Sequence, residues 1–218
     1  MILDLHVHTH HSADSAIKPR ELIEEAKRRG LGGFAVTDHN RFAGALEAKK
    51  LARDLKSDLV VIPGEEVLTE RGEVLAYFIG EEIEPGRFED VMDDIARQGG
   101  VAALPHPFDR LRRRFDFRGC RRVDEIAAVE TFNARVVFRE DNERAEKFAE
   151  KNEKTKIGGS DAHFIFEFGN GKTETKASDE EGLRKAIKER ATKAVGKNTS
   201  LFVHGVTKFL KIARKIKK

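Results

Sequence analysis

The chain has 218 residues, 36% of them charged with the two signs nearly balanced at a net +3, a single cysteine and no tryptophan. That length suits one α/β domain with a full core. The lone Cys120 excludes an intrachain disulfide and a thiolate metal cage, so any metal must sit on nitrogen and oxygen. No apolar run reaches the roughly 18 residues of a membrane span, and no basic segment leads into a signal-peptide core. The expectation is a soluble, cytoplasmic protein without a membrane partner, and the charge-rich, glutamine-poor composition leans towards a thermophile. Six basic residues and no acid follow Thr207, which leaves the rest of the chain mildly acidic and gives bulk charge no case for nucleic-acid binding.

In chain order, residues 1–7 read as a short buried strand that runs into His6-x-His8. Residues two apart on a strand face one side, so the two imidazoles converge as half a first-row metal site would require. Taken alone, the pair reads as well as polar residues at a strand mouth. A polar loop over 10–16 holds Ser12 and Asp14, and Pro19, an apolar face of Leu22, Ile23 and Ala26, and Gly30 mark a helix. A strand at 33–37 ends in Thr37-Asp38-His39-Asn40, a helix covers 43–55, and a strand at 58–62 ends in Pro63-Gly64-Glu65-Glu66. Residues 73–79 form a further strand, paired with 66–69 through a turn at Arg71-Gly72. A helix at 87–98 and a strand at 100–104 lead into Pro105-His106-Pro107 and then a basic loop over 109–122. A strand at 126–130 exits through Asn133 and Arg135, a helix spans 139–152, and a strand at 155–158 feeds Gly159-Ser160-Asp161-Ala162-His163. The remainder holds a helix at 179–190, a strand at 192–195 and a basic amphipathic helix at about 200–218, expected to pack on the same single domain.

Alternating strands and helices predict parallel βα units. His8, Asp38 and His39, Glu66, His106, Glu130 and Asn133, and Asp161 and His163 all fall at or just after the C-terminal end of a strand. A barrel gathers such ends on one rim, whereas an open doubly wound sheet spreads them along an edge. The predicted fold is therefore a (β/α) barrel short of eight units. A single carboxylate–imidazole pair could be a solvated strand end, but the full set at strand exits is the pattern of a metal centre.

These motifs carry a resemblance. His6-x-His8, Ser12-x-Asp14, Thr37-Asp38-His39, Pro63-Gly64-x-Glu66, His106-Pro107 and Gly159-Ser160-Asp161-x-His163 resemble the successive motifs of the PHP (polymerase and histidinol phosphatase) superfamily. The resemblance implies a distorted, TIM-like (β/α)7 barrel that holds two or three divalent ions (zinc, manganese or iron) and hydrolyses phosphate esters. It implies that His6, His8, Glu66 and Asp161 hold one metal, that Glu66 bridges to a second with His106, and that Asp14, His39 and His163 hold a third. Glu65 is the fallback for the bridge. Trinuclear members usually supply one more histidine beyond the position of Glu130; none stands there, and water, substrate or Asn133 would complete the second metal. Glu66, Asp161 and His106 are the expected catalytic residues, with a metal-bridging hydroxide attacking phosphorus in line.

The basic loop bears Arg110, Arg112, Arg113, Arg114, Arg118, Arg121 and Arg122, with Phe115 and Phe117 between them. Arginine pairs bidentately with phosphate and stacks on rings, so the loop reads as a clamp on a phosphorylated metabolite, a nucleotide or a nucleic-acid strand, or equally as a surface ion-pair network or subunit contact. Arg110, Arg112, Asn133 and Arg135 are the candidate substrate contacts. Phe164, Phe166 and Phe168 alternate as core residues do, His10 and His11 are expected to face solvent, and His204 to be structural. Two rivals stay open: a C–N hydrolase of amidohydrolase character, against which the arginines speak, and a non-catalytic RNA-binding or scaffolding barrel, against which so complete a ligand set speaks.

Overall fold

Strand β1 (Ile2–Val7) begins a run in which α1 (Pro19–Arg28), β2 (Gly33–Val36), α2 (Ala43–Asp54) and β3 (Val60–Thr69) follow as the sequence predicts. The computed structural model describes residues 1–199, so the helix expected at about 200–218 lies outside the described residues. β3 continues unbroken through the Pro63-Gly64-Glu65-Glu66 motif and folds back over Glu70-Arg71 into β4 (Gly72–Tyr77). Next come α3 (Phe88–Arg97), β5 (Val101–Leu104), β6 (Ala128–Asn133), α4 (Arg139–Lys151), β7 (Thr155–Gly159), β8 (Gly171–Thr175), α5 (Glu180–Lys188) and β9 (Thr192–Gly196).

The nine strands lie in the order β7-β6-β5-β4-β3-β2-β1-β8-β9. Neighbours within β1–β3 and within β5–β7 are parallel, as expected of βα units. β4 runs antiparallel to β3, as the predicted hairpin requires, and antiparallel to β5 as well. The exit of β7 returns to β1: Val7 and Ala162 form a parallel bridge, and the Asp161 N–H donates to the His6 carbonyl at 2.7 Å. Below that contact β8 wedges in, pairing antiparallel with Ile2 and Leu3 while the Thr173 hydroxyl meets the Gly158 N–H at 2.8 Å. Among the described residues, the result is a nearly closed, distorted barrel of nine strands with five α-helices.

Leu3, Leu5, Ala35, Ile62, Leu75 and Ala103 form one buried cluster with residues from β6 and β7, joined by Leu183 and Ile187 of α5. Side chains contributed by seven strands to one cluster are the filling of a barrel. The Thr155 hydroxyl donates to the Ile187 carbonyl, so α5 closes the end at which β7 begins. A second, larger cluster lies between the strands and α1, α2 and α3, with Leu22, Phe34, Ala48, Phe88 and Ile95 at its centre. Among the described residues no helix is long and apolar enough to cross a membrane.

Candidate metal centre

The rim opposite α5 collects the predicted ligands. His6 and His8 are fully buried at the exit of β1, whose register against β2 shifts between Asp4 and Val7. Such an irregularity re-aims side chains at a strand end. Asp4 braces the rim from below, accepting from the Ser160 N–H at 2.9 Å and the Gly169 N–H at 2.7 Å. Asp38 does the same work for the loop after β1. It accepts from the Thr9 N–H, the Thr9 hydroxyl and the Ser12 hydroxyl, each at 2.6 Å, and so folds that loop back over the barrel mouth. This brings Asp14 to 3.6 Å from His39 Nε2 and 3.5 Å from His163 Nε2. His106 and Asp161 hold left-handed backbone, at φ 27° and 55°, a conformation that costs non-glycine residues of order 1 kcal/mol and concentrates at functional sites.

Glu66 is the hub. Its Oε1 lies 3.5 Å from His6 Nε2 and 3.3 Å from His106 Nε2, and its Oε2 lies 3.5 Å from His8 Nε2 and 2.8 Å from His39 Nδ1. Asp161 Oδ1 stands 3.3 Å from His8 Nε2, 3.8 Å from His6 Nε2 and 3.5 Å from His163 Nδ1. Seven of the eight predicted ligands fall in overlapping sets, His6, His8 and Asp161; His6, Glu66 and His106; His8, His39 and His163, and Asp14 approaches two of them, His39 and His163. His10, His11 and Glu47 form a separate set at the surface, with His11 Nε2 at 2.8 Å from Glu47.

An outer ring of polar groups holds these residues. Glu130 accepts from the His106 N–H at 2.9 Å and faces His6 Nδ1 at 3.0 Å, which leaves His6 Nε2 directed inward. The Asn133 amide donates to Glu130 at 2.9 Å and to Asp161 Oδ2 at 3.1 Å, so it fixes two carboxylates. Arg135, a candidate substrate contact, is buried instead against Glu167 Oε1 at 3.0 Å and His163 Nδ1 at 2.9 Å, where it orients the imidazole. Arg110 likewise turns to Asp141 and stacks on Phe138. Of the basic loop's other arginines, Arg113 caps the Glu70 carbonyl, Arg118 pairs with Asp116, and Arg122 pairs with Asp93 and Glu125. Arg112 alone among these reaches the centre, donating to Asp161 Oδ2 while Asp109 holds its Nε at 2.9 Å.

Sequence reasoning missed Glu73, on β4, whose carboxylate lies 3.8 Å from His106 Nε2 and 4.0 Å from His39 Nδ1. Phe168 enters the core as expected, but Phe164 and Phe166 stack on each other at 5.7 Å and Phe166 is largely exposed.

The electrostatics are those of a cation site. Burial opposes charge on Glu66, yet His6 and His39, with His106, hold its carboxyl well below the usual range. Asp161 is kept ionised against burial by Arg112 and His6. Burial works against a charged His39 too, but Glu66, Asp14 and Glu73 push it up to about 9. Burial and the neighbouring His39 and His163 hold His8 well below the usual imidazole range. Neither Glu66 oxygen has a well-directed hydrogen bond, although imidazole nitrogens stand 2.8–3.5 Å away, and a buried carboxylate so placed among imidazoles can share a cation with them. Separations of 3.3–3.8 Å between donors are close to the edges of about 3.0–3.4 Å that ligands at about 2.1 Å subtend at one ion. The residues fit divalent metal.

Comparison with known proteins finds a family and a shared fold. Residues 4–157 match the family model for the PHP domain and residues 139–192 one described as PHP-associated. Two uncharacterized proteins of Methanocaldococcus jannaschii are similar. One is 35% identical over 62% of this chain and 82% of its own length, the other 36% identical over 78% and 68%. A two-domain protein of Bacteroides vulgatus, described as containing a predicted PHP-like metal-dependent phosphoesterase, shares the fold at a TM-score of 0.76 and 19% identity, over 90% of this chain and 65% of that one.

Proposed function

The chain belongs to the PHP-domain family, and from that premise we propose that it is a metal-dependent hydrolase of phosphate esters. Its substrate would be a small phosphorylated metabolite, a nucleotide or a short oligonucleotide. The observation that carries this reading is Arg112, held by Asp109 and Asp161 at the edge of the imidazole–carboxylate cluster with a quarter of its side chain exposed. A fixed guanidinium beside a metal centre is placed to pair with phosphoryl oxygens. A neutral amide would give it nothing to bind, which favours the ester over the C–N bond.

His6, His8, Glu66 and Asp161 would hold one ion, Glu66 and His106 would take part in a second, and Asp14, His39 and His163 would hold a third. Such ions ionise water near neutral pH and neutralise the anionic substrate. The chain's own residues do the remaining work. Glu130 and Asn133 lock the inner ligands, Arg135 orients His163, and Arg112 draws the phosphate to the rim. The Ser12 hydroxyl is committed to Asp38, which accords with direct attack by water and no covalent enzyme intermediate. Arg110, Arg118 and Arg122 are engaged in ion pairs and Arg113 with the Glu70 carbonyl, which favours a small substrate over a long strand.

The test is hydrolysis of p-nitrophenyl phosphate and bis-p-nitrophenyl phosphate with Mn²⁺, Zn²⁺ or EDTA. We expect metal-dependent release, a loss of at least about 100-fold in Asp161→Ala, and a KM raised about 10-fold in Arg112→Ala. No release with any metal, or an Asp161→Ala variant as active as the native chain, would remove the proposal. The preferred substrate separates monoester from diester chemistry.

A further inference from the structure

The three ligand sets are unequal. One position draws four donors, from His6, His8, Glu66 and Asp161, and another draws three, from Asp14, His39 and His163. The position between Glu66 and His106 has only His106 of its own and shares Glu66 with the first. Zinc takes four ligands, and manganese and magnesium take more. Two side chains would leave an ion there loosely held.

β4 supplies what that position lacks. Glu73 is the second residue of the strand, four-fifths buried, and its Oε2 lies 3.8 Å from His106 Nε2. Its Oε1 lies 4.0 Å from His39 Nδ1, and Glu73, Glu66 and His39 offer donor atoms all within 4.8 Å of one another. Among the described residues, the basic groups facing Glu73 within 4.0 Å are these two imidazoles. Two carboxylates turned into one mostly buried space repel each other unless a cation lies between them. We propose that Glu73 is a metal ligand, completing with Glu66 and His106 the second position of the centre; the inference rests on the reading of this site as a metal centre. Two carboxylates and one imidazole form a harder donor set than the imidazole-rich positions beside it, which suits manganese or iron better than zinc.

The full chain, stripped with chelator and reloaded with Mn²⁺ under anaerobic conditions, tests this by metal content after gel filtration and by titration calorimetry, on the native protein, Glu73→Gln and Glu73→Ala. Glutamine keeps the shape of the side chain, and circular dichroism confirms that each variant is folded. The expected result is one Mn²⁺ equivalent lost from both variants, or its affinity lowered at least 10-fold, with the remaining equivalents unchanged. A spectroscopic readout accompanies it: the exchange-coupled Mn²⁺ signal of the native protein should simplify in Glu73→Gln. Equal content and affinity in all three proteins would overturn the role of Glu73 and leave the phosphoesterase reading standing. A native chain that takes up no Mn²⁺ and no Zn²⁺ would overturn both.

Discussion

Adjacent glutamates on β3 have opposite fates. Successive strand residues face opposite sides, so Glu66 meets four imidazoles while Glu65 is buried elsewhere, with its Oε2 accepting from the Ile83 N–H at 3.0 Å. Burial lifts the Glu65 carboxyl to about 8; the Ile83 N–H opposes the shift, and Glu82 and Glu84 add to it. An unfolded chain loses this proton near 4.5, whereas the folded chain keeps it to about 8. Between those values the folded state binds the extra proton, so stability falls as pH rises, by up to about 1.4 kcal/mol per pH unit. Glu65→Gln should therefore flatten the pH dependence of Tm between pH 5 and 8, raise Tm at pH 8, and leave metal content untouched. Parallel curves for variant and native chain would refute this. The resemblance of Pro63-Gly64-x-Glu66 to a family motif makes Glu66 legible in sequence with Glu65 as the fallback, and strand parity settles the choice once β3 is seen to run on to Thr69. Glu73 was not legible by the same rule. β4 is antiparallel, so its N-terminal end reaches the rim where its parallel neighbours present their C-terminal ends, and a search of strand exits passes over it. Arg112 is among the candidate contacts, but so is Arg110: seven arginines in one loop share a pattern, and only packing separates Arg112, which reaches Asp161, from Arg110, which turns to Asp141.

Among the elements, β7 constrains the site closely. Gly159, its last residue, passes so close to β1 that a Cβ there would lie 2.3 Å from the His6 Cβ and 2.6 Å from Glu130 Oε1. Real side chains do not approach so closely. Gly159→Ala must push His6 and its bracing carboxylate apart, and we expect Mn²⁺ affinity to fall at least 10-fold, in line with disturbed support of a metal ligand, and Tm to drop by several degrees. Gly80→Ala, where a Cβ meets nothing within 4 Å, is the matched control and should change neither. Native affinity in Gly159→Ala would mean that β1 and β7 yield without cost. All five described helices and most strands could be read from apolar periodicity, and the strand exits located the rim. β8 escaped because its buried residues are Gly171 and Thr173, which leave no apolar alternation to see. β6 was placed early, at 126–130 rather than at Ala128–Asn133, because Ile126 is buried just before the strand begins.

At the scale of the whole molecule, the barrel concentrates ionisable groups at one end, and their protons must couple metal binding to folding. His39 is held protonated up to about 9, and His6 is lifted well above the imidazole range despite burial, by Glu130, Asp161 and Glu66. A histidine must be neutral to ligate, so both should surrender protons as metal enters, whereas His8, already depressed by burial and by His39 and His163, has none to give. Calorimetric titration with Mn²⁺ at pH 7.5, in buffers of differing ionisation enthalpy, should show about one to two protons released per chain. The apparent affinity should climb with pH until His39 has titrated. Stability must follow the same sign. His39 ionises at 6.5 when unfolded and at about 9 when folded, so its contribution to the metal-free fold is complete below 6.5 and disappears as pH rises through 9. Metal replaces that proton and restores the cancelled charge. The difference in Tm between loaded and chelator-treated protein should therefore widen from pH 7 to pH 9. A proton count near zero, with a Tm difference independent of pH, would mean that the imidazoles are already neutral in the metal-free chain and that the carboxylates do not govern them.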